Sequence, residues 1–288
     1  MEAHEFIPRP SYDDDVNSLT RKYAKALQDL RRELLSLPLD DAFHREQIEA
    51  ALKDMAAITK RLNIETASWV KQYIPQAARD GVAVALTAMG VATSYGAAVA
   101  KASFNGLNKT MVQAIMSDLQ TDLLAVTQNV DRRVRSAVRT VTSDVMRANM
   151  TKGINGLRTN RREILSSLRT KLGDSLDTGI IDAAGRRWNP ETYVDMVVCT
   201  KMMEANTAGA VNEALGRGVL YGRISRHNAP DACSKWEDKI VKLVADAPGD
   251  FPTLDEARAS REVFHPRCGH IILPERRPPE LAEQGVIL

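Results

Sequence analysis

Hydrophobic residues recur at three- and four-residue steps along most of the first half of the chain, which is the spacing of an amphipathic helix. Residues 16–62 contain two such segments, separated by the stretch LPLDD, whose proline and aspartates can end one helix and cap the next. We therefore predict two helices here. Their apolar stripes contain Val16, Leu19, Tyr23, Leu27, Leu30 and Leu34 in the first helix and Phe43, Ile48, Leu52, Met55 and Ile58 in the second.

Residues 81–100, GVAVALTAMGVATSYGAAVA, carry no charged side chain. The stretch is long enough to span a hydrocarbon core. Seven of its positions are alanine, three are glycine and four carry a Ser, Thr or Tyr hydroxyl, so its summed hydrophobicity is modest. We predict a small-residue helix that packs closely against neighbouring helices, including helices of other subunits in an assembly. A membrane span is the alternative that this composition disfavours.

Residues 119–171 repeat the helical pattern and are also basic. Between residues 131 and 171, eleven Lys or Arg stand against three acidic residues. This charge indicates either a solvated helical face or a contact with phosphates or an acidic protein surface. Aromatic residues for base stacking are not interleaved with it, so a contact with DNA would ignore sequence. The candidate contact residues are Arg132, Arg133, Arg135, Arg139, Arg158, Arg161 and Arg162.

The pattern changes near residue 174. Ile180 and Ile181 form a short strand candidate, and Asn189 followed by Pro190 is a helix start. A second helical stretch over 201–215 ends at GRG, and both VLYGRIS and FHPRCGHIILP read as strands. We predict an α+β protein with three segments: a helical part that docks or assembles (1–173), a compact α+β domain (174–275) and a Pro/Glu-rich tail (276–288).

Composition narrows the classes of function. A chain of 288 residues with 44% hydrophobic residues can bury a core, and a net charge of +2 does not make a polycation. Three cysteines do not form a secreted disulfide framework, and the N-terminus resembles no secretion signal. We therefore expect a protein made in a reducing cytoplasm.

The candidate chemistry lies near the C-terminus. Thiols and imidazoles at short spacing suit a tetrahedral zinc site. Two alternatives stay open: a buried free cysteine beside hydrogen-bonded histidines, and a cysteine nucleophile with a histidine base. The sequence contains no Walker loop, GxGxxG, HExxH or GxSxG motif. The predicted metal ligands are Cys233, His265, Cys268 and His270, with His227 in reserve.

The blocks DAAGRRWNPETYVDMVVCT, SRHNAPDACSKWEDKIVKL, FPTLDEARA and FHPRCGHIILPE follow one another over residues 178–275. In order and spacing they resemble the minor capsid proteins of tailed phages, the Mu F-type head morphogenesis group and its minor capsid protein 2 relatives. The resemblance implies a virion component of low copy number, at the portal or inside the head, that is needed for assembly or DNA delivery. It also implies a C-terminal domain related in fold to ADP-ribosyltransferases.

The same resemblance implies partners: a portal protein, a major capsid or scaffold protein, packaged DNA bound without sequence preference, and further copies of the chain. Localisation would be the virion, and the host cytoplasm during assembly. Trp188 and Trp236 would be core anchors of the domain.

Three positions depart from the family pattern. Pro230 stands where relatives have the first cysteine of a Cys-Pro-x-Cys turn, Asp238 where they have glycine, and Cys199 where they commonly have arginine. The first departure bears on the zinc site. The last bears on an enzymatic alternative, an ADP-ribosyltransferase with Arg186 or Arg187 and an acid at Glu237 or Glu262, for which NAD binding is the test. A DNA- or membrane-contacting ejection protein is a further alternative.

Overall fold

A computed structural model describes residues 7–36, 45–152, 166–167, 170–171, 180–181 and 185–283. Four helices come first in the described part of the chain, and a three-stranded antiparallel sheet lies in its C-terminal part, so the predicted α+β class is confirmed. The elements are α1 (Asp13–Leu35), α2 (Arg45–Ala88), α3 (Tyr95–Lys101), α4 (Gly106–Lys152), β1 (Ile180–Ile181), β2 (Arg187–Trp188), α5 (Pro190–Gly216), β3 (Tyr221–Ile224), a 3-10 helix (Ala232–Lys235), β4 (Ile240–Lys242), α6 (Leu254–Ala259), β5 (Ile272–Glu275) and α7 (Pro279–Glu283).

Contacts divide the chain into two compact units. The bundle unit contains Val16–Trp69 and Gln120–Asp195, and the sheet unit contains Met1–Asp15, Val70–Leu119 and Met196–Leu288. Each unit takes residues from four of the helices, α1, α2, α4 and α5. The predicted division into segments 1–173, 174–275 and 276–288 describes functional parts of the chain, and it stays a prediction.

The bundle unit is built on the predicted apolar stripes. All six stripe residues of α1 are buried, as are Leu123, Val126 and Val130 of α4. Polar bonds fix the helix pairs: Trp69 Nε1 donates to Ser18 Oγ at 2.9 Å, and Thr127 Oγ1 donates to Asn63 Oδ1 at 2.7 Å. The main core cluster contains Leu27, Leu30, Leu34, Ala51, Met55, Val130, Val134, Ala137, Val138 and Val141. Phe43 and the side chain of Ile48, both of the predicted second stripe, lie outside the described part of the structure.

The uncharged stretch 81–100 is not one helix as predicted. Helix α2 ends at Ala88 because Gly90 adopts φ +69°, a left-handed conformation that glycine accepts readily. The N–H of Val91 bonds the carbonyl of Leu86, and that of Gly90 bonds Thr87, which is the Schellman pattern. None of the helices in the described part of the chain is long and apolar enough to cross a membrane.

Close helix packing, which the small residues predicted, is present in the sheet unit. A Cβ atom added at Gly81 of α2 would overlap the carbonyl oxygen of Asn206 in α5 and lie 2.7 Å from its carbonyl carbon. A Cβ added at Gly209 of α5 would likewise overlap the carbonyl oxygen of Ala78. The two backbones therefore touch on both sides of the crossing, which only glycine permits at these positions.

Helix α5 is a single helix of 27 residues, whereas the sequence suggested two. Its predicted start is confirmed, since Asn189 Oδ1 accepts the N–H of Glu191 at 2.8 Å. Its predicted end at GRG is also confirmed: Gly218 has φ +70°, and the N–H of Val219 bonds the carbonyl of Ala214.

The sheet has the strand order β4-β3-β5, and both pairings are antiparallel. The predicted strand VLYGRIS contains β3, but only the last part of FHPRCGHIILP forms β5. Its first part is a loop, because Phe264 and Arg267 adopt φ 56° and 63° and Pro266 cannot donate a ladder hydrogen bond. We name residues 264–270 the histidine loop.

Candidate functional site

Two segments of the sheet unit bring the predicted ligands together: the 3-10 helix between β3 and β4, and the histidine loop before β5. Asp231 starts the 3-10 helix, since its Oδ1 accepts the N–H of Cys233 at 3.0 Å. In the histidine loop the N–H of Cys268 bonds the carbonyl of His265 at 2.9 Å, which closes a turn between two of the ligands. Arg267 N–H bonds Thr200 Oγ1 of α5 at 3.3 Å.

All four predicted side chains lie in one cluster, which we name the Cys/His cluster: Cys233, His265, Cys268 and His270. The Sγ atoms of Cys233 and Cys268 are 3.7 Å apart. His265 Nε2 is 2.9 Å from Cys233 Sγ, and His270 Nδ1 is 3.2 Å from Cys268 Sγ. Cys233, Cys268 and His270 have ligand atoms within 4.8 Å of one another, whereas His265 shares such a group with Cys233 and Asp231. Cys233 is therefore common to both groups.

Each histidine of the cluster has an acceptor on its far nitrogen. His265 Nδ1 lies 3.0 Å from the carbonyl oxygen of Pro266, and His270 Nε2 lies 3.3 Å from Glu237 Oε1. A carbonyl or carboxylate oxygen can only accept, so these nitrogens carry the protons. The unprotonated nitrogen of each ring then points at a cysteine sulfur.

Glu237 holds the segment 227–229 and His270 together through hydrogen bonds. Its Oε1 accepts the N–H groups of His227 at 3.0 Å and Ala229 at 2.9 Å, in addition to His270. Burial raises the pKa of this carboxyl, but the backbone donors of Ala229 and His227, together with the His270 side chain and the charge of His227, outweigh burial and leave its pKa below the ordinary value. His227 itself stacks on His270 with ring centroids 3.9 Å apart and does not join the sulfurs.

The cluster sits at the edge of an apolar core. Cys233 and Cys268 are buried among Ile224, Val263 and Ile272, and His270 is 1% exposed. Burial raises the pKa of the Cys233 thiol and lowers that of the His270 imidazole, since an apolar setting disfavours charge. A cavity of about 270 Å³, lined by His265, Cys268, His270, Thr200 and Glu204 among others, reaches the cluster on one side.

The predicted core anchors take different positions. Trp236 packs against the apolar core around Cys233, and its Nε1 donates to Glu262 at 2.9 Å. Trp188 is half-buried in the bundle unit and forms an edge-to-face pair with Tyr193. The two acids of the transferase alternative both form hydrogen bonds with nearby side chains. Glu262 bonds Trp236 and Lys235, and Glu237 bonds His270.

The basic residues of α4 divide into two groups. Arg133 bonds Asn129 at 3.0 Å and Arg135 bonds Asp131 at 2.8 Å, both within the helix. Arg132 and Arg139 are exposed. Arg158, Arg161 and Arg162 lie outside the described residues.

Sequence reasoning missed two contributors to the site as it stands. Glu237 was considered only as a catalytic acid, and its role as anchor depends on a turn that places residues 227–229 beside it. Arg9, far away in the chain, packs its guanidinium on the backbone of Gly269, where any Cβ would overlap it. Neither interaction has a local sequence signal. Arg9 and Gly269 are far apart along the chain, and Glu237 meets residues 227–229 only because a turn brings them together.

The fold and site define a helical protein whose C-terminal sheet is bordered by a Cys/His loop, with no motif of a standard enzyme in its sequence. The profile of the family described as phage minor capsid protein 2 matches residues 43–274. The chain belongs to the phage minor capsid protein 2 family. No curated protein and no solved structure matches the chain significantly. The predicted relation of the C-terminal domain to ADP-ribosyltransferases in fold therefore stays a prediction.

The backbone of Asp238 is strained. Asp238 adopts φ 62°, the left-handed region in which glycine is unstrained. Asp238→Gly is expected to stabilise the protein by about 0.5 kcal/mol, because relief of strain exceeds the added entropy of the unfolded chain. Urea unfolding measures the change.

Asp238→Ala is the matched control. It loses the exposed ion pair with Arg226, as Asp238→Gly does, but keeps the left-handed strain. We expect it to be less stable than the wild type by up to about 1 kcal/mol. Equal stabilities of the glycine and alanine variants would contradict the strain at this position.

Proposed function

We propose that this protein is a structural component of the phage head that lies at the portal or inside the capsid, and that it aids head assembly and the packaging or delivery of DNA. Membership of a minor capsid family supports the virion as its location. The finer position and the partners rest on the surface of α4. That surface is the observation that carries the proposal.

Helix α4 has two opposite faces in the bundle unit. Val130, Val134, Val138 and Val141 are buried on one face. Arg132, Arg139 and Arg147 are exposed and recur at seven and eight residues, so they share the opposite face, with Ser136 and Ser143 between them. Small hydroxyl residues leave the guanidinium groups of Arg132 and Arg139 accessible. This arginine face therefore suits a long anionic surface.

Two anionic partners fit the arginine face: the phosphates of packaged DNA and an acidic patch on the portal protein. Guanidinium groups bind both phosphates and carboxylates through paired donors. DNA binding would be independent of sequence, because the face has no aromatic residue to stack on bases. We also propose that the protein binds a major capsid or scaffold protein and further copies of itself.

Neutralising the arginine face tests the proposal. The double variant Arg132→Gln/Arg139→Gln is expected to bind duplex DNA more weakly at low salt. The slope of log affinity against log salt should fall by roughly 0.9 for each phosphate that the variant no longer neutralises. Fluorescence anisotropy over a salt series measures both quantities, and co-purification with the portal protein is measured in parallel.

The control is Arg276→Gln/Arg277→Gln, which removes the same charge from exposed positions of the sheet unit. It should leave DNA affinity and its salt slope close to the wild type. Loss of portal co-purification with unchanged DNA binding would assign the arginine face to the portal. If the Arg132/Arg139 variant behaves like the control in both assays, the proposed role of α4 is wrong.

A further inference from the structure

We propose that Cys233, His265, Cys268 and His270 bind one Zn²⁺ ion, with Glu237 and the Pro266 carbonyl as outer acceptors of the two histidines. The ion would fasten the histidine loop to the 3-10 helix. This inference is independent of the proposed role in the phage head, since it concerns how the domain is held together.

The separations among three of the donor atoms, on Cys233, Cys268 and His270, fit a tetrahedral ion, and the fourth donor, His265 Nε2, joins them through Cys233. With zinc–sulfur bonds of about 2.3 Å and zinc–nitrogen bonds of about 2.0 Å, tetrahedral sulfurs lie about 3.8 Å apart and sulfur–nitrogen pairs about 3.5 Å. The two cysteine sulfurs are 3.7 Å apart, and the two sulfur–nitrogen pairs are at 2.9 and 3.2 Å. Two thiols and two imidazoles form a set of donors that binds zinc in preference to hard cations.

The surroundings of the ligands also match those of a metal centre. Each histidine points an unprotonated nitrogen at a cysteine and donates its other N–H to a fixed acceptor. Such outer acceptors are regular features of metal-bound histidines. Cys268 Sγ also accepts the N–H of Phe264 at 3.3 Å, which holds the sulfur in place within the loop.

The ligands come from two segments of the sheet unit. One ligand comes from the 3-10 helix and three come from the histidine loop. Phe264 and Arg267 adopt left-handed conformations within this loop, and such outliers concentrate where a site must be held in one geometry. The cavity beside His265 and Cys268 provides an entry path for the ion.

His265 is the most exposed member of the set. Its Nε2 lies near Cys233 but also 3.5 Å from Asp231 Oδ2, and its side chain is 31% exposed. We assign it, and not Asp231, as the fourth ligand, because imidazole is the softer donor and its Nδ1 is already held by Pro266. Asp231 is occupied by the N–H of Cys233.

A competing arrangement is a metal-free cluster in which each thiol donates to a histidine within the apolar core. The two arrangements differ in metal content. The full-length protein, purified in reducing buffer without a histidine tag, should contain one zinc per chain by elemental analysis. Replacement by Co²⁺ should give the thiolate charge-transfer and visible bands of a tetrahedral site.

Variants assign the ligands. Cys233→Ser and His270→Gln should reduce the zinc content to near zero, and Glu237→Gln should weaken affinity by about 10- to 100-fold as expected for an outer partner. Cys199→Ser is the matched control, since it removes the half-buried cysteine outside the cluster and should keep full zinc content. His265→Gln should lose far more affinity than Asp231→Asn.

Three results would overturn the inference. A folded wild-type protein with zinc near zero and no Co²⁺ spectrum would establish the metal-free arrangement. Equal zinc content in Cys199→Ser and Cys233→Ser would place the metal elsewhere. Loss of zinc in Asp231→Asn but not in His265→Gln would replace the fourth ligand. Metal analysis of the wild type decides the main question even if a variant fails to fold, and none of these results affects the DNA and portal assays.

Discussion

Gly81→Ala is expected to destabilise the protein by about 3 kcal/mol, at the upper end of the usual cost of overpacking. The added methyl group would overlap the carbonyl oxygen of Asn206, which belongs to the backbone of α5 and cannot rotate away. Helices α2 and α5 would have to separate, and packing along the whole crossing would weaken. Gly209→Ala should cost a similar amount, because it meets the carbonyl of Ala78 from the other side. Urea unfolding followed by circular dichroism measures both.

Gly96→Ala is the matched control. Gly96 lies in helix α3, and a Cβ added there meets no atom within 4 Å. Alanine should therefore stabilise this variant by roughly 0.5 kcal/mol through its better helix propensity. The double variant Gly81→Ala/Gly209→Ala should cost less than the sum of its parts, because one separation of the helices relieves both overlaps. If Gly81→Ala is as stable as Gly96→Ala, the close crossing is wrong.

Arg223→Met is expected to destabilise the protein by about 2 kcal/mol near neutral pH, since it leaves partly buried carboxylates without their cation. Arg223 of β3 donates to Glu275 at 3.0 Å, to Glu280 at 3.1 Å and to the carbonyl of Asp238 at 2.7 Å. Its side chain is 20% exposed, so these bonds are partly shielded from water. They connect β3 with β5, helix α7 and the turn before β4.

The same group of bonds predicts a pH dependence. Burial raises the pKa of Glu280, but its hydrogen bonds with Arg223 outweigh burial and leave the pKa below the ordinary value. A carboxyl with a lowered pKa in the folded state contributes stability above its unfolded pKa and loses it as the pH falls. The difference between the wild type and Arg223→Met should therefore be largest at neutral pH and shrink on acidification below about pH 4.3, the ordinary value for glutamate.

Arg276→Met is the control for this variant. Arg276 is exposed and follows β5 directly, so its loss should change stability by less than about 0.5 kcal/mol. Unfolding free energies of the wild type and both variants, measured at several pH values, give the comparison. A difference between the wild type and Arg223→Met that stays constant with pH would contradict the role of Glu280.

The sequence predicted the helical part well because local periodicity determines which side of a helix is apolar. The stripes of α1 and α4 are buried as expected, and the caps at Asn189 and Gly218 lie where Asn-Pro and GRG indicated. Errors arose where a local signal had two outcomes. Gly90 could be a small packing residue inside a helix or its end, and the apolar run before β5 could be strand or loop.

The site was predictable as a set of residue types and not as a geometry. Spacing alone placed His265, Cys268 and His270 in one short segment, which was predicted as a strand, and left Cys233 as their partner across 32 residues of chain. The folded sheet brings the two sulfurs to 3.7 Å and supplies Glu237 as an acceptor. Neither fact follows from spacing, because separations between distant segments depend on how β3, β4 and β5 pair.

The amino-acid sequence by itself determined the α+β class, the apolar stripes, the helix caps and the family, since each depends on residues that are close together along the chain. Only the tertiary structure decided that Gly81 and Gly209 form a close backbone crossing, that Asp238 occupies a glycine conformation, and that the FHPRCGH segment forms a loop rather than a strand. These features depend on atoms far apart in sequence or on backbone angles that side-chain patterns do not specify. Long-range packing is therefore what turned a group of cysteines and histidines into one cluster.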